Sequence, residues 1–359
     1  MDRHSRHQWR WVTRPGRAWK WRLRTGAIEL LDAAAEQGLL EEVPDVIFVT
    51  SMVSVGDLRA LLPPSLRACP IVLYMHENQA AYPFRHTSET EVQRDHQFAL
   101  TNLTSILSAD AVLWNSQWNQ DSFCRAIESL LRKAPDGTVV DVTNRIASRS
   151  RVAWPPIERP PVDAAGSRVL HNSEPVGGLR QDGTSGGAPV RIAWPHRWEH
   201  DKGPDTLLRL ARFLEHTSPG RYRWTLLGEQ FGKIPESLVQ FQREFSGQID
   251  HAGWVESREA YWGHLSQCTW VLSTARHEFF GVAVVEAMLA GCLPWLPRRL
   301  SYPEITPVVA HGLSPGNEAV DLAQAQRRIM EHLEATDPAV ATGLIDSVLD
   351  TVAQGQNPA

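Results

Sequence analysis

The sequence predicts an α/β protein, with two parallel-sheet domains of the doubly wound kind. Three observations predict it. The chain has 359 residues, long enough for two ordinary domains. Short runs rich in Val, Ile, Leu and Trp alternate with helix-like segments, the pattern of parallel strands joined by crossover helices. One stretch, DAAGSRVLHNSEPVGGLRQDGTSGGAP, breaks that alternation with Gly, Ser, Asp and Pro, which marks a flexible linker.

In the first half, DVIFVTS, PIVLYMHEN and ADAVLWNS are apolar runs of strand length that end in polar residues. The opening HQWRWVT alternates aromatic and polar groups and reads as an edge strand. In the second half VRIAWPHR, YRWTLLGE, IDHAGWV, TWVLSTA and CLPWLP read as buried strands. Between the first two of these, GPDTLLRLARFLEH places Pro204 in a first helical turn and Leu207, Leu208, Phe213 and Leu214 on one face. A helix begins around Gly281 and runs to Gly291, a natural C-terminal stop. The expected division is an N-terminal domain over 1–160, a linker over 161–189, a C-terminal domain over 190–335, and an amphipathic helix with its tail over 336–359. Open parallel sheets bind ligands beyond the carboxyl ends of their strands. Two such domains facing each other would bring their polar strand ends together across one cleft.

Hydrophobic residues make up 42% of the chain and charged residues 21%, and no apolar run reaches the roughly 18 residues of a membrane span. A soluble protein without a membrane partner is expected. Cys69, Cys124, Cys268 and Cys292 are widely spaced, form no CxxC pair and lie in or beside apolar segments, as buried reduced thiols do. No secretory signal precedes them, so the expected location is cytoplasmic. The net charge of −5 hides an asymmetry: residues 1–24 hold eight Lys/Arg against Asp2, so this segment is strongly basic and the remainder acidic. Trp9, Trp11, Trp19 and Trp21 are interleaved with those cations. Basic groups attract phosphate and aromatic faces stack on bases, which suits a nucleic-acid contact. A solvated start whose tryptophans pack inward is the other reading, and composition leaves both open.

The chemistry concentrates in STARHEFFGVAVVEAMLAG, residues 273–291. Glu278 precedes the helix and Glu286 lies within it. A glycine at the helix start lets a ligand approach free backbone N–H groups, and the dipole there favours an anion such as phosphate. Carboxylates flanking such a site would be repelled by the phosphate and therefore suit the neutral hydroxyls on either side of it. A nucleotide sugar has that layout. AWPHRWEHDKGPDT adds Arg197 and Lys202 in the loop after another strand, where a guanidinium and an ammonium would neutralise a diphosphate leaving group. The bland alternatives are a loop acid, a helix-surface acid and two solvated cations.

HRWEH within that loop matches a zinc-protease pattern, but the pattern requires one continuous helix, and Pro195 with Gly203-Pro204 leaves no room for it. In PIVLYMHENQAAYPF, His76, Glu77 and Asn78 end a buried strand, where they suit sugar or acceptor binding, or else form a capping cluster. GxGxxG, Walker A and GxSxG sequences are absent, which removes most of the case for hydride transfer, P-loop ATP hydrolysis and serine hydrolysis.

Taken together, WKWRLRTGA, YMHENQAAYPF, WNSQWNQDSF, WPHRWEHDKGP, LLGEQF, STARHEFFGVAVVEA and SYPEI resemble the tRNA-queuosine mannosyltransferase family, also called the glycosyltransferase-like domain-containing protein 1 family, and its bacterial relatives. These are retaining glycosyltransferases of the GT-B fold, with an E-x7-E arrangement and an Arg and Lys pair for the diphosphate. The resemblance implies transfer of mannose from GDP-mannose to queuosine in a tRNA anticodon, with no cofactor and no metal. It implies donor contacts from Arg197, Lys202, Glu278, Phe280, Gly281, Val282 and Glu286, with Glu278 on the sugar and Glu286 on the ribose. It implies acceptor contacts from His76, Glu77, Asn78, Asn115, Trp19 and Arg22, and catalytic roles for Glu278, His76, Arg197 and Lys202. Family members open with a further strand and a glycine-rich turn ahead of the HQWRWVT segment. The expectation is therefore a first strand missing from the N-terminal domain, through a late start or a truncated product. Another sugar, a lipid or carbohydrate acceptor, or an inactive nucleotide- or tRNA-binding protein remain alternatives, and oligomeric state is open.

Overall fold

A computed structural model describes residues 1–16, 18–82, 89–134, 139–161, 188–230, 232–317 and 321–356, with backbone alone at 89–95. Among the described residues the helices are α1 (Trp19–Glu36), α2 (Val55–Leu61), α3 (Glu89–Ser108), α4 (Gln117–Leu131), α5 (Val142–Ala147), α6 (Pro204–Thr217), α7 (Glu236–Glu244), α8 (Arg258–Ser266), α9 (Val282–Leu289), α10 (Tyr302–Ile305), α11 (Leu322–His332) and α12 (Pro338–Ala353). The strands are β1 (Ile47–Thr50), β2 (Ile71–Met75), β3 (Ala111–Trp114), β4 (Ser150–Val152), β5 (Val190–Pro195), β6 (Tyr222–Leu227), β7 (Ile249–Gly253), β8 (Trp270–Leu272) and β9 (Leu293–Trp295). Contacts divide the chain into two compact units, Met1–Pro156 with Pro338–Ala359, and Ile157–Asp337. The linker expected at 161–189 lies outside the described residues, apart from 161, 188 and 189.

The first unit holds a parallel sheet in the order β1-β2-β3-β4, with Ile47 opposite Ile71, Val72 opposite Ala111 and Val112 opposite Ser150. Parallel neighbours need crossovers, which the helices between the strands supply. On one face Leu58, Leu103, Ile106, Phe123 and Ile127 pack with Leu73, Met75 and Trp114. On the other, Val72, Ala111, Leu113 and Ala153 meet Ile345, Val348, Leu349 and Val352 of α12. The last helix therefore packs with the first unit, because its apolar stripe covers a sheet face that helices α1 to α5 do not. At roughly 1.5–3 kcal/mol for each fully buried aliphatic side chain, that docking contributes several kcal/mol before entropy is counted.

Two features differ from the sequence reading. HQWRWVT forms no strand. The start is anchored through side chains instead: Ser5 Oγ donates to Asp346 Oδ1 at 2.7 Å and the Arg6 N–H to Oδ2 at 2.9 Å. Trp9 stacks on Trp11 with centroids 4.8 Å apart and meets Phe48 edge-on. β4, in contrast, was not legible, since three residues with an arginine at the centre carry no apolar run.

The second unit holds a parallel sheet in the order β7-β6-β5-β8-β9. β5 pairs with β6 on one side and with β8 on the other, so the strand order reverses there. Trp194, Trp224 and Trp270 are fully buried in this sheet. α6 starts at Pro204 as expected and buries Leu207, Leu208, Ala211 and Leu214. Phe213 does not share that face and is 62% exposed, because Ala211, one helical turn before Leu214, completes the stripe.

Candidate active site

The crevice where strand order reverses, between β5 and β8, is where an open parallel sheet binds its ligand. Two loops meet there. After β5, residues 196–199 run into a single 3-10 turn at His200–Lys202, and Gly203 then turns the chain into α6 with φ of 68°. A Cβ at Gly203 would stand 2.2 Å from the Thr274 carbonyl oxygen, so only glycine lets the two loops approach this closely. Thr274 Oγ1 accepts from Trp194 Nε1 at 2.9 Å and donates to the Lys202 carbonyl at 2.8 Å. The Arg276 N–H donates to the Asp201 carbonyl at 2.7 Å. These ties fix Lys202 beside the loop that carries Glu278.

Lys202 is buried, with its side chain 9% exposed. Its Nζ donates to the His277 carbonyl at 3.2 Å and to Glu278 Oε2 at 3.3 Å, and lies 3.2 Å from Asp201 Oδ2. Burial disfavours the charged form, but Glu278 and Asp201 outweigh it and raise the pKa. The ammonium is therefore charged at neutral pH. Arg197 is half-exposed, with its Nη2 3.2 Å from Glu199 Oε2. Because HRWEH is an irregular loop entering one 3-10 turn, its two imidazoles do not share a helix face.

Gly281 caps α9 with φ of 98°, which a side chain would strain. Its carbonyl accepts from Val284 and Val285, both at 3.0 Å, so the N–H groups of Val282 and Ala283 precede the intrahelical ladder. These are the donors an anion would use. Phe280 has a buried ring, and its carbonyl accepts from Ser301 Oγ at 2.8 Å, so its part in a ligand contact is limited to backbone. Val282 is exposed. Glu286 is buried and accepts twice: from Arg258 Nη2 on Oε1 at 2.5 Å and from the Tyr261 hydroxyl on Oε2 at 3.0 Å. Asp201, Thr274, Arg258 and Tyr261 were missed by sequence reasoning. Asp201 had a signal, an acid beside the lysine of a phosphate loop; Arg258 and Tyr261, on α8, had none.

His277 and His196 are buried beside this cation. Burial, with Lys202 adding to it, pushes His277 down to about 4 and His196 well below its ordinary value. A histidine neutral when folded and free to protonate when unfolded stabilises the protein fully above about 6.5, and that contribution is lost as pH falls towards 4. His277→Gln is expected to flatten the decline in Tm across that window, followed by circular dichroism. An unchanged slope would assign the acid sensitivity to other groups.

In the first unit, His76 ends β2 and is exposed to solvent, with Nδ1 3.1 Å from Ser51 Oγ. Crowding by protein desolvates the ring and lowers its pKa from the ordinary value. Asn78 and Asn115, expected to contact the acceptor, are buried, and their amides are engaged within the protein. Asn78 Nδ2 donates to Asn119 Oδ1 at 2.7 Å, and Asn115 Nδ2 donates to the His76 carbonyl at 2.7 Å. They hold the loop that carries His76. Glu77 lies half-buried, its Oε1 accepting from Gln79 Nε2 at 3.3 Å. Trp19 packs on Phe98 at 5.3 Å, and Arg22 Nη1 donates to Glu29 Oε2 at 2.8 Å. The residues expected to contact the acceptor thus belong to one unit and those expected to contact the donor to the other.

Comparison with known proteins fixes the family. A family model described as tRNA-queuosine alpha-mannosyltransferase N-terminal matches residues 1–157. The tRNA-queuosine alpha-mannosyltransferase of Drosophila melanogaster is 35% identical over 299 residues, spanning 82% of this chain and 73% of the fly protein. The chain belongs to the tRNA-queuosine alpha-mannosyltransferase family. Among solved structures, the alpha,alpha-trehalose-phosphate synthase (UDP-forming) of Burkholderia vietnamiensis superposes with a TM-score of 0.62 at 14% identity, covering 95% of this chain and 81% of that one. The corresponding Burkholderia xenovorans enzyme in complex with glucose-6-phosphate gives 0.62 at 13%, covering 94% and 79%. At such identities the likeness concerns fold alone. With the two parallel sheets it gives this family member a GT-B architecture.

Proposed function

We propose that the chain transfers a mannosyl group from GDP-mannose to queuosine in tRNA, with retention of anomeric configuration and without a metal. The observation that carries this reading is the charge pattern at the β5/β8 crevice. A buried ammonium at Lys202, held by Glu278 and Asp201, a half-exposed guanidinium at Arg197 beside Glu199, and the α9 N-terminus offer donors for a diphosphate, with the remaining lone pairs of Glu278 and Glu286 left for hydroxyls. In the reaction the bond from the anomeric carbon to the diphosphate oxygen breaks and the electron pair leaves with the diphosphate. Lys202, Arg197 and the α9 N–H groups stabilise that charge as it develops. A queuosine hydroxyl bonds to the anomeric carbon on the same face, and its proton passes to the departing diphosphate. Glu278 orients the sugar, Glu286 the ribose, and His76, uncharged near neutral pH, accepts a hydrogen bond from a sugar or acceptor hydroxyl.

Purified protein with radiolabelled GDP-mannose is expected to label queuosine-containing tRNA, not tRNA lacking queuosine, and to do so in EDTA. Equal labelling of both RNAs would remove queuosine as the acceptor. Labelling from another nucleotide sugar alone would replace the donor, and loss in EDTA restored by a divalent cation would replace the metal-free mechanism.

A further inference from the structure

We propose that the first turns of α1 form a stacking platform for an unpaired base of the tRNA anticodon arm, with Trp21 as the stacking surface and Lys20 and Arg24 as phosphate contacts. The inference rests on the tRNA reading above and adds where the RNA is held.

Trp21 is 70% exposed on a helix that buries Leu23, Gly26 and Ala27 on its other side. A large aromatic left in solvent is informative where a scattered small apolar residue is not. Beneath it the helix start is stiffened by alternating cations and rings. Lys20 Nζ lies 5.4 Å from the Trp19 ring, Trp19 lies 5.3 Å from Phe98, and the Arg24 guanidinium lies 5.3 Å from Phe98. Such stacking orders the two cations, and helix spacing puts Lys20 one position before Trp21 and Arg24 three after it.

The platform sits at the same sheet edge as His76. Phe98 on α3 precedes by one turn Asn102, whose Oδ1 accepts from the Gln79 N–H at 2.8 Å and whose Nδ2 donates to the Ser51 carbonyl at 3.5 Å. Ser51 Oγ in turn lies 3.1 Å from His76 Nδ1. Gly26, in the second turn of α1, packs on the carbonyl of Met52, where a Cβ would stand at 3.6 Å. An RNA loop presenting a nucleoside to His76 therefore passes the start of α1. The charge fits that occupant: of the eight Lys/Arg against one acid in residues 1–24, Arg6, Arg10 and Arg22 pair with Asp350, Glu42 and Glu29, while Lys20 and Arg24 lie against aromatic rings within one turn of Trp21. The centre of a protein interface is depleted of charge, whereas this ring stands among cations. Base stacking on an aromatic face tolerates any base, so the platform holds the arm while queuosine is read elsewhere.

The test measures binding of a fluorescent anticodon stem-loop by anisotropy across a salt series, with full-length wild type and variants. Trp21→Ala is expected to weaken binding about tenfold or more, while Trp21→Phe retains most of it. Lys20→Ala combined with Arg24→Ala is expected to reduce the slope of log affinity against log salt, which Trp21→Ala leaves unchanged. Trp21→Ala binding RNA like wild type, while wild type transfers mannose to queuosine tRNA, overturns the platform and leaves the transferase reading standing. Trp21-dependent RNA binding by a wild type that transfers nothing to queuosine does the reverse. A Trp21→Ala change in self-association with RNA affinity intact makes the ring a protein contact and also overturns the proposal.

Discussion

Lys202→Ala is expected to lower kcat on the order of a hundredfold and to destabilise the fold by about 3 kcal/mol. Both effects come from one ammonium. In the fold it stands between Glu278 and Asp201, at 3.3 and 3.2 Å, with the His277 carbonyl as a third acceptor. Removing it leaves two carboxylates facing each other across a mostly buried gap. In the proposed reaction it is held against the loop that leads into α9, where charge would accumulate as the diphosphate departs. Its raised pKa keeps that contribution in place below about 10.5 and removes it only as pH rises beyond that value. Lys202→Arg is expected to recover little, because a slot that leaves the side chain 9% exposed holds a compact ammonium and not a planar fork. Steady-state kinetics with Tm measurement on both variants decides this. A Lys202→Ala enzyme with normal kcat and a lowered Tm would make the residue structural and take the diphosphate contact away from it.

How much of this was legible in sequence depends on whether local pattern or tertiary contact decides each feature. IVLYM became β2 and IAWP the buried part of β5, whose Arg191 stays exposed, because strands buried on both faces need continuous apolar residues. Gly281 and Gly291 bracket α9 because both take positive φ, a constraint carried by residue type. That two cations stand at the carboxyl end of β5 was legible for a similar reason, since Arg197 and Lys202 lie in one loop. What was not legible is long-range. HQWRWVT alternates like a strand, but Arg6 just before it and His7 at its start reach Asp346, 340 and 339 residues away, so the chain runs beside α12 without joining a ladder. α12 looked like a separate tail because nothing in its own residues names the sheet it covers. Asn78 and Asn115 sit at strand ends where ligand contacts are made, but their amides are engaged through Asn119 and the His76 carbonyl. Trp19 and Trp21, two positions apart on a helix, point in different directions, the first onto Phe98 and the second to solvent, which the sequence pattern does not tell.

The same limit of local reading gives Glu286 its most informative test. Arg258 and Tyr261 lie 28 and 25 positions before it, and they supply the two donors that fix its carboxylate. Burial and the carboxylate push the Tyr261 pKa far upward, so the phenol stays protonated and donates. A carboxylate offers about four acceptor sites, so one bond to each oxygen leaves the remaining lone pairs for a ribose diol. Glu286→Gln is expected to keep the fold, because the amide oxygen still accepts from Arg258 and the Tyr261 hydroxyl turns to accept from the amide N–H. The spare acceptors on one side are lost. KM for GDP-mannose is expected to rise about tenfold, the size of one charged hydrogen bond, with kcat for bound donor nearly unchanged. A donor analogue lacking a ribose hydroxyl should bind wild type correspondingly more weakly and show little further loss with the variant. Glu286→Ala, in contrast, leaves Arg258 and Tyr261 without their acceptor and is expected to lower Tm as well, by a modest amount because the Arg258 side chain is 44% exposed. If both variants lower Tm while the donor KM and the analogue's penalty stay as in wild type, Glu286 serves the Arg258 and Tyr261 network alone, and the ribose is held by other groups.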